Sequence, residues 1–153
     1  MITSAFIPGT EDKDEAFSIR REVFVDEQRW PEGEAFDEFE DAAMHLMVYA
    51  DETPAATGRI WHDGSVFRIG RIAVLKKFRG QKLGDLVMRL LLYKAFNSGA
   101  ETVHIGAQKY IVPFYQKFGL KECGEEYEQA GIPHIEMKVG KDDLVYPSDC
   151  CKG

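Results

Sequence analysis

Residues 71–84, RIAVLKKFRGQKLG, join an apolar strand-like run to a basic, glycine-bearing turn that opens into a helical pattern. Ile69, Ile72, Ala73, Val74 and Leu75 read as a strand, whereas Leu83, Leu86, Val87, Leu90, Leu91 and Lys94 recur at the period of a half-buried helix. Between the two stand Lys76, Lys77, Arg79, Gly80, Gln81, Lys82 and Gly84. Glycine lets backbone N–H groups approach a ligand closely, and a helix start offers unpaired N–H groups and the positive end of its dipole. With the lysines and the arginine added, the stretch suits an anion, above all a phosphate or pyrophosphate. The alternative is a solvated basic loop ahead of a surface helix.

The elements that must position this turn follow from the rest of the chain. Residues 2–7 read as a first strand ended by Pro8 and Gly9. Thr10 or Asp12 caps a helix in which Ala16, Ile19 and Val23, with Phe17 and Phe24, form one apolar face through FSIRREVFVDEQ. Arg20 and Arg21 lie on or beside that face, and the expectation is arginine stems along the helix with solvated heads. Residues 32–41 carry Glu32, Glu34, Asp37, Glu38, Glu40 and Asp41 with no basic residue among them. Such a run reads as a solvated loop or short helix, held to the body by Phe36 and Phe39, and beside a pocket it would attract an amine.

Residues 45–50 and 56–61 form a strand pair, and residues 65–75 form the strand that reaches the basic turn. Asn97-Ser98-Gly99 stops the long helix, and residues 102–107 return as a strand. Gln108 begins a short helix with Pro113 near its start and Gly119 as its stop. Phe114 and Phe118 there read as core, while the Tyr115 phenol must find a polar partner or face a cavity. Residues 121–127 and 135–139 complete the sheet around a turn at residues 130–133. Antiparallel strands followed by strand, turn, helix and strand make a mixed sheet with helices on its faces.

With 153 residues and 44% hydrophobic residues, the chain reads as one domain over residues 1–153. A formal net charge of -7 argues against nucleic acid as a partner. There is no signal-like N-terminus and no run long enough to span a bilayer, so the expectation is a cytoplasmic protein without membrane attachment. Cys123, Cys150 and Cys151 give neither a disulfide framework nor metal-ligand spacing. Cys123 reads as packing and the tail pair as incidental.

RIAVLKKFRGQKLGDLVM followed by VPFYQKFGL resembles the GNAT superfamily of N-acetyltransferases, over roughly residues 69–139. The family's turn signature is Arg or Gln, two residues, Gly, one residue, then Gly or Ala. Here those positions are Arg79, Lys82 and Gly84, so a lysine stands at the usual glycine. The first half is similar to the ElaA-like branch through FSIRREVFVDEQ, the acidic stretch ending at Asp41, and His45. It also echoes the acyl-homoserine-lactone synthases through Arg20, Phe24, Trp30, Asp37, Phe39 and Glu40, with Ala35 where that family places a carboxylate.

The resemblance implies an acyl-CoA N-acyltransferase fold of the α/β (α+β) class. Its central sheet would be mixed and mostly antiparallel, with roughly six to seven strands flanked by about four helices. It also implies acetyl transfer from acetyl-CoA, as co-substrate, to the primary amine of a small cationic molecule or of a protein, by direct attack. A homodimer is the family's expectation. The co-substrate would lie on Ile72, Ala73, Val74, Arg79, Gly80, Gln81, Lys82, Leu83, Gly84 and Asp85, with Gln108 on its arm. Free N–H groups near Ala73 and Val74 would polarise the thioester. Tyr115 takes the family's place for the general acid, a phenol of pKa about 10 protonating a thiolate of pKa about 8.5 or more. Glu38, Asp41 and His45 are candidates for the base, with His104 and Arg71 behind them. The alternatives are an acyl-homoserine-lactone synthase and a CoA-binding module without catalysis.

Overall fold

In the computed structural model, which describes residues 1–147, the N-terminal run forms β1 (Ile2–Pro8) at the edge of a sheet. The next members are β2 (Met44–Ala50), β3 (Thr53–His62) and β4 (Phe67–Val74), each antiparallel to the one before. Beyond them lie β5 (Thr102–Gln108), β6 (Lys121–Glu122), β7 (Tyr127–Gln129) and β8 (Ile132–Gly140), in the order β1-β2-β3-β4-β5-β8-β6, with β7 also pairing with β8. The sheet is therefore mixed and mostly antiparallel, and β4–β5 is its parallel pair. Two short strands, β6 and β7, raise the sheet to eight members where six or seven were expected. The single strand read over residues 121–127 is these two pieces, both laid on β8. Ala130 and Gly131, at φ 54 and 75, turn tightly between β7 and β8. Pro133 thus belongs to β8, where it pairs with Glu128 just beyond the end of the β5 ladder.

Side-chain alternation sends Leu46 and Val48 to one face of the sheet and Met47 to the other. The first face packs on α3 (Leu83–Asn97), through Leu83, Val87, Met88, Leu91, Leu92 and Ala95. That buried stripe runs toward Met88, Leu92 and Ala95, leaving Leu86 and Leu90 half-buried. Gly58 permits the approach, since a Cβ there would stand 2.9 Å from both Val87 Cγ1 and Leu91 Cδ1. The other face packs on α1 (Asp14–Arg20) through Ala16 and Ile19, joined by Val23, Phe24, Trp30 and Ala73. Asp12, two residues ahead of the helix start, accepts a hydrogen bond from the Asp14 N–H at 2.9 Å. The continuous helix expected here becomes π-helical over Arg21–Glu27, with Gln28 N–H bonding to Val23 O at 3.0 Å.

Two short helices complete the layers, α2 (Glu32–Ala35) and α4 (Val112–Gln116). Gly119 ends the α4 segment at φ 95, with its Cα so near Asp143 O that a Cβ would lie 2.2 Å from it. Cys123 is half-buried and donates its N–H to Glu136 O at 2.8 Å. Cys150 and Cys151 lie outside the described residues. Among the described residues no helix is long and apolar enough to cross a membrane.

Candidate active site

β4 and β5 begin side by side, with Phe67 opposite Val103 and Arg68 opposite His104, and then separate. A bulge in β4, between its pairings with Thr57 and Arg59, puts Arg71 at φ 50 and bends the strand. The two strands thus open a wedge at their C-terminal ends, where the β5-facing edge of β4 has no ladder partner. A cleft of about 440 Å³ fills the mouth of the wedge, lined by Ile72, Ala73, Val74, Arg79, Gly80, Lys82, Leu83, Gly84 and Asp85. Val23, Gln28, Phe114 and Lys117 face it from the other side. Of the expected turn residues, Gln81 is exposed and lies outside this lining.

The turn reaches α3 through Gly80 at φ 83 and Lys82 at φ 62. Lys82 thus adopts the left-handed conformation that the family's glycine would supply, at a cost of roughly 1–2 kcal/mol for a residue with a Cβ. No side chain caps the start of α3, and its first residues, Leu83, Gly84 and Asp85, line the cleft. Asp85 in that first turn is held by Arg89 at 2.7 Å. Arg79 is not the loose charge that the sequence suggested. Its two Nη groups donate to the Glu27 carboxylate at 2.6 and 2.7 Å, and its Nε donates to Val74 O at 3.0 Å. This fork joins the end of the π-helical segment to the turn across the cleft and holds the Glu27 carboxyl below its ordinary value.

Deeper in the wedge lies a small cavity of about 70 Å³ that shares Gln28 and Ile72 with the cleft. Tyr115 lines it from α4, is buried, and makes no hydrogen bond to the described residues. Burial, then the nearby Tyr110, raises its pKa and keeps the phenol protonated. Gln108 donates from Nε2 to Gln28 Oε1 at 3.1 Å, while its own Oε1 is buried without a donor. A buried carbonyl left open in this way is an acceptor for a ligand N–H.

His134, which the sequence did not single out, lines the same cavity directly opposite Gln108 in the β5–β8 register. Its Nδ1 lies 2.7 Å from Ile132 O, a pure acceptor, so Nδ1 carries the proton and Nε2 presents a lone pair. Desolvation lowers its pKa, against the opposing effect of that bond, and Arg71 lowers it further. A neutral imidazole with a fixed tautomer therefore lines the same cavity as a protonated phenol. Only the strand register discloses the pairing, since His134 follows an unremarkable Gly-Ile-Pro turn in the sequence.

Beyond this point a cavity of about 360 Å³ opens on the far side, lined by Asp37, Phe39, Arg59, Trp61, Arg68 and Tyr127 among others. It shares Gly70, Arg71, Gly106 and Gln129 with the inner cavity. The acidic stretch does reach this wall, but the two carboxylates it places there, Asp37 and Glu40, are answered by arginines. Arg20 is fully buried and bonds Glu40 at 2.5 Å, in place of the solvated head expected of it. Arg59 lies over the Trp61 ring, clamps Asp37 at 2.6 and 2.7 Å, and meets Glu40 at 3.0 Å. Desolvation opposes ionisation of Asp37, yet the Arg59 bonds outweigh it and hold the carboxyl at about 2.

The base candidates read from the sequence are not brought into these cavities. Glu38 is exposed, and Asp41 is exposed and pairs with Lys13 at 3.1 Å. His45 is sealed behind the wall, with Nε2 donating to Glu40 O at 2.9 Å and Nδ1 3.4 Å from Arg20. His104 bonds Glu136 at 3.0 Å and lines none of the three cavities, and Arg71 is a cation in the wall that the inner and far cavities share.

The model of the acetyltransferase (GNAT) domain matches residues 10–141. The uncharacterized N-acetyltransferase YjcF of Bacillus subtilis is 39% identical over 128 residues, which cover 83% of this chain and 91% of YjcF. Protein ElaA of Escherichia coli is 32% identical over 124 residues, 78% of this chain and 81% of ElaA. The crystal structure of ElaA superposes with a TM-score of 0.81 at 28% identity, covering 90% of this chain and 99% of that one. An acyl-CoA N-acyltransferase from Pseudomonas aeruginosa gives 0.81 at 26% identity, with the same coverages. The splayed strands, the basic turn ahead of α3 and these likenesses agree, and the chain belongs to the GNAT acetyltransferase family, in its ElaA-like branch.

Proposed function

We propose that the chain transfers the acetyl group of acetyl-CoA to a primary amine, of a small molecule or a protein, by direct attack. The observation that carries this reading is the passage through the wedge, in which each cavity shares lining residues with the next. The cleft suits a phosphate-bearing donor and the far cavity an acceptor. Between them stand a phenol, an imidazole and an amide oxygen, each with an uncommitted polar atom.

On the donor side, backbone N–H groups of the turn and of Leu83, Gly84 and Asp85 would hold the pyrophosphate, with charge from Arg79 and Lys82. The unpaired edge of Ile72, Ala73 and Val74 would hold the arm, and the open Gln108 oxygen would accept one of its amide N–H groups. The donor supplies an activated thioester. As the amine nitrogen bonds to the carbonyl carbon, His134 Nε2 takes the proton that the nitrogen loses, so the base role passes to it from Glu38, Asp41 and His45. Tyr115 gives its hydroxyl proton to the sulfur as the C–S bond breaks. Burial that raises the phenol raises a buried thiolate in the same sense, so the transfer remains accessible. Exchange with solvent then returns a proton to Tyr115 and removes one from His134.

The test pairs calorimetric binding of acetyl-CoA with thiol release across a panel of amines. Tyr115→Phe is expected to slow turnover by about 10²–10⁴-fold, with acetyl-CoA affinity and unfolding temperature nearly unchanged because the hydroxyl bonds to no described residue. Full turnover in that variant removes the acid role. Absence of acetyl-CoA binding overturns the donor assignment.

A further inference from the structure

Arg71 is held differently from the arginines around it. Arg20 bonds Glu40 at 2.5 Å, Arg59 bonds Asp37 at 2.6 and 2.7 Å, and Arg68 bonds Glu136 at 2.7 and 2.8 Å with Asp63 at 3.8 Å. Each of these guanidinium groups thus has a carboxylate at close range. Arg71 makes only longer hydrogen bonds, to Ala35 O at 3.4 Å, Glu34 O at 3.2 Å and Asp37 Oδ2 at 3.4 Å, and its guanidinium lies over the Trp30 ring at 5.6 Å from the centroid, a contact that supplies no carboxylate. That last oxygen is already bonded to Arg59 at 2.6 Å. Among the described residues Arg71 Nη1 makes no hydrogen bond.

Position and charge point the same way. Arg71 sits on the β4 bulge at φ 50, a conformation disfavoured for a residue with a Cβ, and lines both the inner and the far cavity. The interlocked group has Arg20, Arg59 and Arg71 against Asp37 and Glu40, three cations to two anions, with His45 kept neutral by burial. Asp63 and Glu136 do not supply the missing charge, because both are in contact with Arg68, and Glu136 also bonds His104. Arg71 has a side chain only 14% exposed, so the surplus charge lies largely out of water, where an unpaired cation is costly.

We infer that the acceptor carries a carboxylate, which Arg71 binds where the inner and far cavities meet, and hence that the substrates are amino acids or other carboxylate-bearing amines. This rests on the acetyl-transfer reading for the chemistry at the amine. The carboxylate on Arg71 would leave the amine toward His134 and Tyr115, and would send the remainder of the acceptor toward Phe39, Trp61 and Tyr127.

Two measurements on the full chain test it. In the first, binding of N-acetyl amino acids is compared with that of their N-acetyl amides, read by the fluorescence of Trp30 and Trp61 with CoA present and absent. The acids are expected to bind roughly 10–100-fold more tightly, the scale of a lost charge-assisted bond. Arg71→Gln abolishes the difference and Arg71→Lys restores part of it. In the second, thiol release from acetyl-CoA is compared for amino acids and their decarboxylated amines, and the same preference appears in kcat/KM. Equal binding of acids and amides, or a preference that survives Arg71→Gln, overturns the inference. Failure of acetyl-CoA to bind overturns the donor reading alone, and the acid–amide comparison still decides the role of Arg71.

Discussion

His134 keeps its proton on Nδ1 because the group it meets there, the Ile132 carbonyl, can only accept. The lowered pKa means that the imidazole is already neutral at pH 7, and it becomes protonated only below the ordinary value of 6.5. Protonation of the imidazole should therefore leave kcat unaffected through neutrality and lower it on the acid side at a pH below 6.5. His134→Gln should lower kcat/KM by about 10²–10⁴-fold and remove that acid limb. A pH–rate profile of both proteins checks this, and an unchanged limb in the variant returns the base role to another group. Tyr115 was legible from its place in FYQKFGL, since the short helix needs an aromatic core and has one phenol to spare. His134 was not, because its place in the cavity comes from a strand register rather than from neighbours in sequence.

At the level of elements, the wedge between β4 and β5 is made by the bulge and by the packing of α3 behind it. The half-buried period of α3 was readable, yet the close approach of β3 to that helix depends on one missing side chain. Gly58→Ala brings a Cβ to 2.9 Å from Val87 and Leu91 in the core and should cost about 1–3 kcal/mol, measured by urea unfolding. An unchanged midpoint would mean that α3 can shift outward freely. The opposite wall of the cleft comes from the π-helical turns, whose wider pitch no propensity announces. There Glu27 meets Arg79 from a position 52 residues away, so a charge assigned to the ligand by the motif is shared with the protein.

For the whole molecule, the formal net charge of -7 conceals an interior in which arginines outnumber their carboxylates. Asp37 is held at about 2 against an ordinary 3.8, and Glu40 is lowered in the same sense. A depressed carboxyl contributes stability that is fully present above its unfolded value and is lost as pH falls through its folded one. Unfolding free energy should thus decline between about pH 4 and pH 2, by on the order of 2 kcal/mol for Asp37 alone. Chemical denaturation in a pH series measures the slope, and Asp37→Asn should flatten it. The sequence by itself determined the mixed sheet and the basic turn ahead of α3, because strand and helix periods and a short glycine-bearing turn are local properties, and its motifs carried the resemblance to the family. It also marked Lys82 as the exception, and a left-handed backbone proved to be what that position demands. Only the tertiary structure decided what the acidic stretch is for. Asp37 and Glu40 looked free because their partners, Arg20, Arg59 and Arg71, come from a helix and two strands separated along the chain. Pairing of that kind is long-range electrostatics, and it is set by how the sheet folds the chain back on itself.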